Sequence, residues 1–159
     1  MNKLVSVIVA VVALVAATFY APDAQAQRHP GSLGVGIGTS TIAAGLSVKR
    51  PAGPTALQLT AGCWRAGCNG VAGSVDMLMP RAPLVGGQAA VLAWNFGFGG
   101  AIGVADDTFA AAGSFVLGLE LIFRDLPFDV VGEWRPTVSV LPGTDFKAAH
   151  FGGHIRFYP

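Results

Sequence analysis

The sequence predicts an all-β fold: one eight-stranded antiparallel up-and-down transmembrane β-barrel, strung as a meander. Three observations lead there. Apolar and polar residues alternate with period two along much of the chain, most clearly over residues 113–135. Only 12% of the residues are charged, too few to coat a water-facing surface of this size. The chain holds 22 glycines, all beyond residue 26, which opposes long helices and suits sharply bent strands.

Residues 113–135 read as two strands joined by Arg124-Asp125-Leu126-Pro127. Phe115, Leu117, Leu119, Leu121 and Phe123 fall on one face of the first, because side chains alternate across a strand. Ser114, Val116, Gly118, Glu120 and Ile122 fall on the other. In the second strand Val130, Gly132 and Trp134 oppose Asp129, Val131, Glu133 and Arg135. A helix fails here, since helical spacing would set Glu120 amid the leucines.

Residues 1–26 are expected to be a secretory signal peptide. Lys3 gives a positive start, residues 4–20 are almost wholly apolar, and Ala24-Gln25-Ala26 is a small-x-small cleavage site. A transmembrane anchor is the other reading of the apolar run, but the cleavage site follows it directly. Residues 27–159 then form a single barrel domain. Lys3 and Asp23 leave together, so the net charge stays +1 and nothing points to nucleic acid. No later segment approaches 18 unbroken apolar residues, so no spanning helix is expected.

The eight strands follow in order. The first covers about 32–37 and turns through Gly38-Thr39-Ser40. The second, about 42–49, sets Ile42, Ala44, Leu46 and Val48 against Ala43, Gly45, Ser47 and Lys49. Arg50-Pro51-Ala52-Gly53-Pro54 is a turn by its composition. The third, about 56–63, sets Leu57, Leu59 and Ala61 against Gln58, Thr60 and Gly62. A loop over 64–70 leads to the fourth, about 71–79, where Val75, Met77 and Met79 oppose Ser74, Asp76 and Leu78. Residues 80–87 turn the chain again. The fifth, about 89–99, sets Leu92, Trp94, Phe96 and Phe98 against Val91, Ala93, Asn95, Gly97 and Gly99. Residues 103–112, with Asp106 and Asp107, are expected as a loop. The sixth and seventh are the stretch described above, the seventh running on to about 140. After a loop at 141–145 the eighth, about 149–157, sets Phe151, Gly153, Ile155 and Phe157 against His150, Gly152, His154 and Arg156.

One face of every strand collects the polar residues, padded with Gly and Ala; the other collects nearly all the large apolar ones. Eight strands leave a narrow interior that side chains must fill, which suits the small and polar set. The apolar set then meets lipid. Open sheet edges cannot sit in lipid, so the sheet must close.

The last strand, His150-Phe151-Gly152-Gly153-His154-Ile155-Arg156-Phe157, resembles the C-terminal assembly signal of bacterial outer-membrane barrels, carried here by Gly152, Ile155 and Phe157. That family ends on the aromatic residue, whereas Tyr158 and Pro159 follow here. Chain length and glycine-rich hairpins resemble the small eight-stranded barrels of the OmpA/OmpX type. The spacing of Glu133, Pro136, Pro142 and Gly143 resembles a group of uncharacterised small outer-membrane proteins. The resemblance implies a place in the bacterial outer membrane, with outer-membrane lipid and the barrel-assembly machinery as partners, and implies no reaction. The chain is expected to act as a monomer.

The chemically suggestive residues lie on the polar face. Glu120, Glu133, Arg135, His154 and Arg156 are expected as a lumen charge cluster. A Glu–His pair could serve acid–base work, as in outer-membrane enzymes that trim lipid A. A narrow barrel must in any case pair its buried charges, and that alone accounts for the set. No Ser–His–Asp spacing or G-x-S-x-G is present, so no catalytic residue is assigned. Gly34-Val35-Gly36-Ile37-Gly38 imitates a phosphate loop, yet no helix follows it. Three histidines, with His29 near the start, and two cysteines lack metal-ligand spacing, so no cofactor or metal is expected. Cys63 and Cys68, in an exported chain, are expected to pair. Trp64, Trp94 and Trp134 suit either a membrane-boundary girdle or ordinary apolar packing. Two rival readings are a soluble exported lipid-binding barrel and a lipid-modifying enzyme. A pore is disfavoured by the filled lumen.

Overall fold

The computed structural model describes residues 32–64, 67–79 and 82–159. The expected signal peptide and His29 lie outside them, as do parts of the expected turns around 65–66 and 80–81. Eleven strands and no helix occur among the described residues: β1 (Gly34–Thr39), β2 (Ala43–Ala52), β3 (Thr55–Trp64), β4 (Gly70–Leu78), β5 (Ala82–Gly86), β6 (Ala90–Ala105), β7 (Thr108–Phe123), β8 (Phe128–Trp134), β9 (Thr137–Leu141), β10 (Asp145–Lys147) and β11 (Phe151–Phe157).

These strands form eight staves of one closed antiparallel barrel. Hydrogen bonding runs β1-β2-β3-β4-β6-β7-β8-β11 and returns to β1. Three staves are broken in two. β5 prolongs the β4 stave along β6, β9 prolongs the β8 stave along β7, and β10 prolongs the β11 stave along β9. The break between β8 and β9 falls at Arg135-Pro136, where proline has no N–H to give the ladder. Bonding nevertheless crosses the gap: Arg135 N–H donates to the His150 carbonyl at 2.7 Å, and Phe115 N–H to the Pro136 carbonyl at 3.1 Å.

Several expected turns and loops prove to be strand. The 103–112 loop shrinks to Asp106-Asp107, joining β6 and β7, which are 16 residues each. Both aspartates have positive φ, 45° and 59°, as a two-residue hairpin turn of the right twist requires. The flanks alternate like any other stave, with Ala101, Ala110 and Ala112 buried and Ile102, Val104 and Phe109 exposed. Alanine and glycine on the inner face blurred the contrast that marks a strand. The turn expected at 50–54 reduces to Gly53-Pro54, where Gly53 takes φ 62°. The turn expected over 80–87 contains β5, and β10 stands between the 141–145 loop and the last strand. The first strand is shifted to Gly34–Thr39, and no strand begins at residue 32.

The barrel is inside-out relative to a water-soluble domain. Its buried interior holds Lys49, Gln58, Thr60, Ser74, Asp76, Asn95, Glu120, Asp129, Glu133, Arg135, His154 and Arg156. Among the described residues, Ala56, Leu78 and Val116 form a small buried apolar cluster. Outside, twenty-five large apolar side chains stand exposed among the described residues, from Ile37 at 68% to Leu121 at 36%. Soluble monomers rarely show a contiguous apolar patch beyond a few hundred Å². Here the apolar surface surrounds the barrel.

Candidate functional site

The polar residues of alternate strand positions converge in the lumen as one network. Arg135, entering where β8 breaks, donates Nη1 to Glu133 Oε2 at 2.6 Å and Nη2 to Asp76 Oδ1 at 2.5 Å. His154 Nε2 lies 3.2 Å from the same Glu133 oxygen, and its Nδ1 lies 2.9 Å from Ser47 Oγ. Gln58 is the hub. Its amide nitrogen reaches Glu133 Oε1 at 2.9 Å and Asp76 Oδ2 at 3.2 Å, while its oxygen accepts from Arg156 Nη1 at 2.6 Å. Arg156 Nε donates to Asp129 Oδ1 at 3.0 Å, and the Tyr158 hydroxyl donates to Asp129 Oδ2 at 2.5 Å. Lys49 Nζ donates to Glu120 Oε2 at 2.6 Å across the lumen. Four basic side chains thus face four carboxylates, all nearly inaccessible to solvent. Burying a charge is costly unless it is paired and hydrogen-bonded, and here Lys49, Arg135 and Arg156 each bond at least one carboxylate.

A second layer is made of hydroxyls. Thr41 Oγ1 donates to Ser114 Oγ at 3.1 Å, and Ser74 Oγ to Ser40 Oγ at 2.7 Å. Small residues let these layers close. A Cβ on Gly38 would collide with the His154 ring, and one on Gly99 would collide with the Asp76 carboxylate.

All five residues of the expected cluster lie buried in the lumen. Glu133, Arg135 and His154 touch directly, and Arg156 joins them through Gln58. Glu120 bonds to Lys49 on the far side of the lumen. Lys49, Gln58, Asp76 and Asp129 were placed on the polar face by alternation, but their roles were missed. Lys49 meets Glu120 across the lumen, 71 residues away, and Gln58 meets Arg156 at a separation of 98, whereas Asp129 faces Arg156 on the neighbouring strand β11 and Asp76 faces Gln58 on the neighbouring strand β3. Tyr158, which the sequence marks only as following the last aromatic of β11, belongs to the network. It continues the alternation of β11 one step inward, and that was the available signal.

Ser47, His154 and Glu133 have the connectivity of a nucleophile, base and orienting carboxylate. The environment does not suit turnover. Ser47 is fully buried, Glu133 is also held by Arg135 and Gln58, and the backbone at Gly38 leaves no room beside the imidazole. No group of His, Cys, Asp and Glu among the described residues is arranged to hold a metal ion. Asn95 is buried with neither side-chain atom bonded, and it borders a cavity of about 220 Å³ with Lys49 and Thr55. A polar cavity of that size is roomy enough for ordered water.

On β11, Gly152 lies close to the Thr39 carbonyl and the Arg135 side chain, Ile155 is exposed, and Phe157 packs on Phe128 at 5.2 Å between ring centroids. Trp94 stacks on Phe96 at 5.6 Å, and Trp134 Nε1 donates to the Ala148 carbonyl at 2.7 Å. At the end of β3 a disulfide joins Cys63 and Cys68, with Cα atoms 4.6 Å apart. Closing so short a loop removes about 2 kcal/mol of unfolded-state freedom by chain-entropy arithmetic. Alkylation of the unreduced protein should leave both sulfurs unmodified, and reduction beforehand should add two labels by mass.

Compared with family models, curated proteins and solved structures, the chain matches none.

Proposed function

We propose that this protein is an integral outer-membrane β-barrel whose role is structural. The observation that supports this best is the distribution of polarity: charges paired inside, large apolar side chains outside around the whole barrel. Water would leave that outer surface unsatisfied, whereas lipid tails match it. Closure of the sheet fits the same reading, since no unpaired edge would face hydrocarbon. The apolar start with its cleavage site would carry the chain out of the cytoplasm, and Gly152, Ile155 and Phe157 would be read by the barrel-assembly machinery. Both chain termini and the turns at 53–54 and 124–127 would then face the periplasm. The lumen network fills the interior, which argues against conduction of a solute. The reading takes the barrel as a monomer without cofactor or substrate.

The Ser47–His154–Glu133 contact favours a lipid-modifying enzyme as the second reading, and its burial weighs against it. The deciding experiment is fractionation with gel migration. The protein should sediment with the outer membrane, and the unboiled barrel should migrate differently from the boiled chain. Recovery in the soluble periplasmic fraction would replace this reading with a soluble lipid-binding barrel.

A further inference from the structure

The outer wall carries a concave apolar groove of about 560 Å³, walled by Trp94, Leu117, Leu119, Trp134 and Phe151. Register explains it. Trp134 stands between Leu117 on β7 and Phe151 on β11, making a row of large side chains. In the next outward row Gly132 stands between Leu119 and Gly153, so two adjacent positions have no side chain. Glu133, the charged residue of the lining, turns its carboxylate inward to Arg135 and Gln58.

Neither packing nor backbone demands glycine at 132. A Cβ there would meet no atom within 4 Å, and the residue does not have the positive φ of Gly53. Glycines such as Gly36 and Gly97 differ, because an added Cβ would strike the backbone of the adjoining strand. The hole at Gly132 is therefore an available space on the outside of the barrel.

We propose that this groove seats one acyl chain of a membrane lipid, an inference that rests on the outer-membrane reading above. The groove is continuous with the exposed apolar belt, flanked by Leu121, Val130 and Ile155. In that reading lipid tail covers the belt and reaches the groove. A second copy of this chain would present a convex wall, which bridges a groove without filling it. A narrow flexible hydrocarbon chain follows the floor and buries apolar surface on both sides. The aromatic walls are set in advance, Trp94 by stacking on Phe96 and Trp134 by its bond to Ala148. A wall already ordered loses little freedom when a chain enters.

Gly132→Leu puts a side chain into the groove at a position where an added Cβ meets no atom within 4 Å, and so tests the idea. Wild type and variant are refolded into phosphatidylethanolamine vesicles, checked for heat-modifiable migration, and released into native mass spectrometry. The wild-type barrel should retain a single phospholipid adduct, and the equally folded variant should lose it. With brominated acyl chains, emission from Trp94 and Trp134, the two tryptophan walls, in a Trp64→Phe background should be quenched less in the variant. Equal adducts in both proteins, or no adduct on a folded wild type, would overturn the lipid seat and leave the membrane reading standing. A dimer peak abolished by Gly132→Leu would overturn it in favour of a second copy. Failure of the wild type to insert at all would remove the membrane reading and the seat together.

Discussion

Replacing Arg135 with Met should destabilise the barrel by about 3–5 kcal/mol, the cost of leaving buried carboxylates without their cation. Arg135 bonds Asp76 and Glu133 through separate nitrogens, and all three side chains are sealed from solvent. Glu133 would keep Gln58 and His154, so the larger part of the loss should fall on Asp76, left with Gln58 alone at 3.2 Å. Adding Asp76→Asn should then recover part of the stability, because the neutral amide no longer needs a cation. The double variant should cost less than Arg135→Met and Asp76→Asn added together, as coupled neighbours do. Urea titrations in lipid vesicles read the three values. Strict additivity would mean that the Arg135–Asp76 contact carries no coupling. The main-chain bond from Arg135 to His150 is unaffected by the substitution, so the stave itself should persist.

How much of this was legible in the sequence follows from the range of each interaction. Alternation is local, so the facing of Glu120, Glu133 and Leu119 could be read directly, and two opposed faces per strand imply a two-sided sheet. Inner positions filled by alanine and glycine give a weaker signal, so the sequence suggests a loop where the β6–β7 hairpin stands, although Ile102, Val104 and Phe109 mark its outer face. Breaks at prolines were legible as chemistry but not as geometry. Pro136 interrupts a stave that main-chain bonds on either side hold in line. Partnering across the lumen was not legible, because it depends on closure and stagger. Nothing local says that Lys49 meets Glu120, or that Gln58 lies within reach of Asp76, Glu133 and Arg156 at once. Tyr158 shows the same limit: it follows the last aromatic of β11 and bonds Asp129 inside the barrel.

Phe98→Arg should cost about 2–4 kcal/mol in lipid vesicles, the penalty for a cation on the lipid face near the bilayer midplane. Phe98 lies near the middle of β6, points outward and is 57% exposed. It also makes an edge-to-face pair with Phe115, with ring centroids 5.5 Å apart. Losing that pair is worth about 0.5–1.5 kcal/mol wherever the face points. Phe98→Leu removes the pair but keeps the site apolar, and so isolates that part. The difference between the Arg and Leu variants is then the cost of the charge itself. A lipid-facing wall makes that difference large. A water-facing wall makes it close to zero, since an arginine on an exposed strand is readily hydrated. Folding yields and urea midpoints for the two variants, measured side by side in vesicles, distinguish the cases. Equal stability of Phe98→Arg and Phe98→Leu would place this face in water and reverse the orientation assigned to the barrel wall.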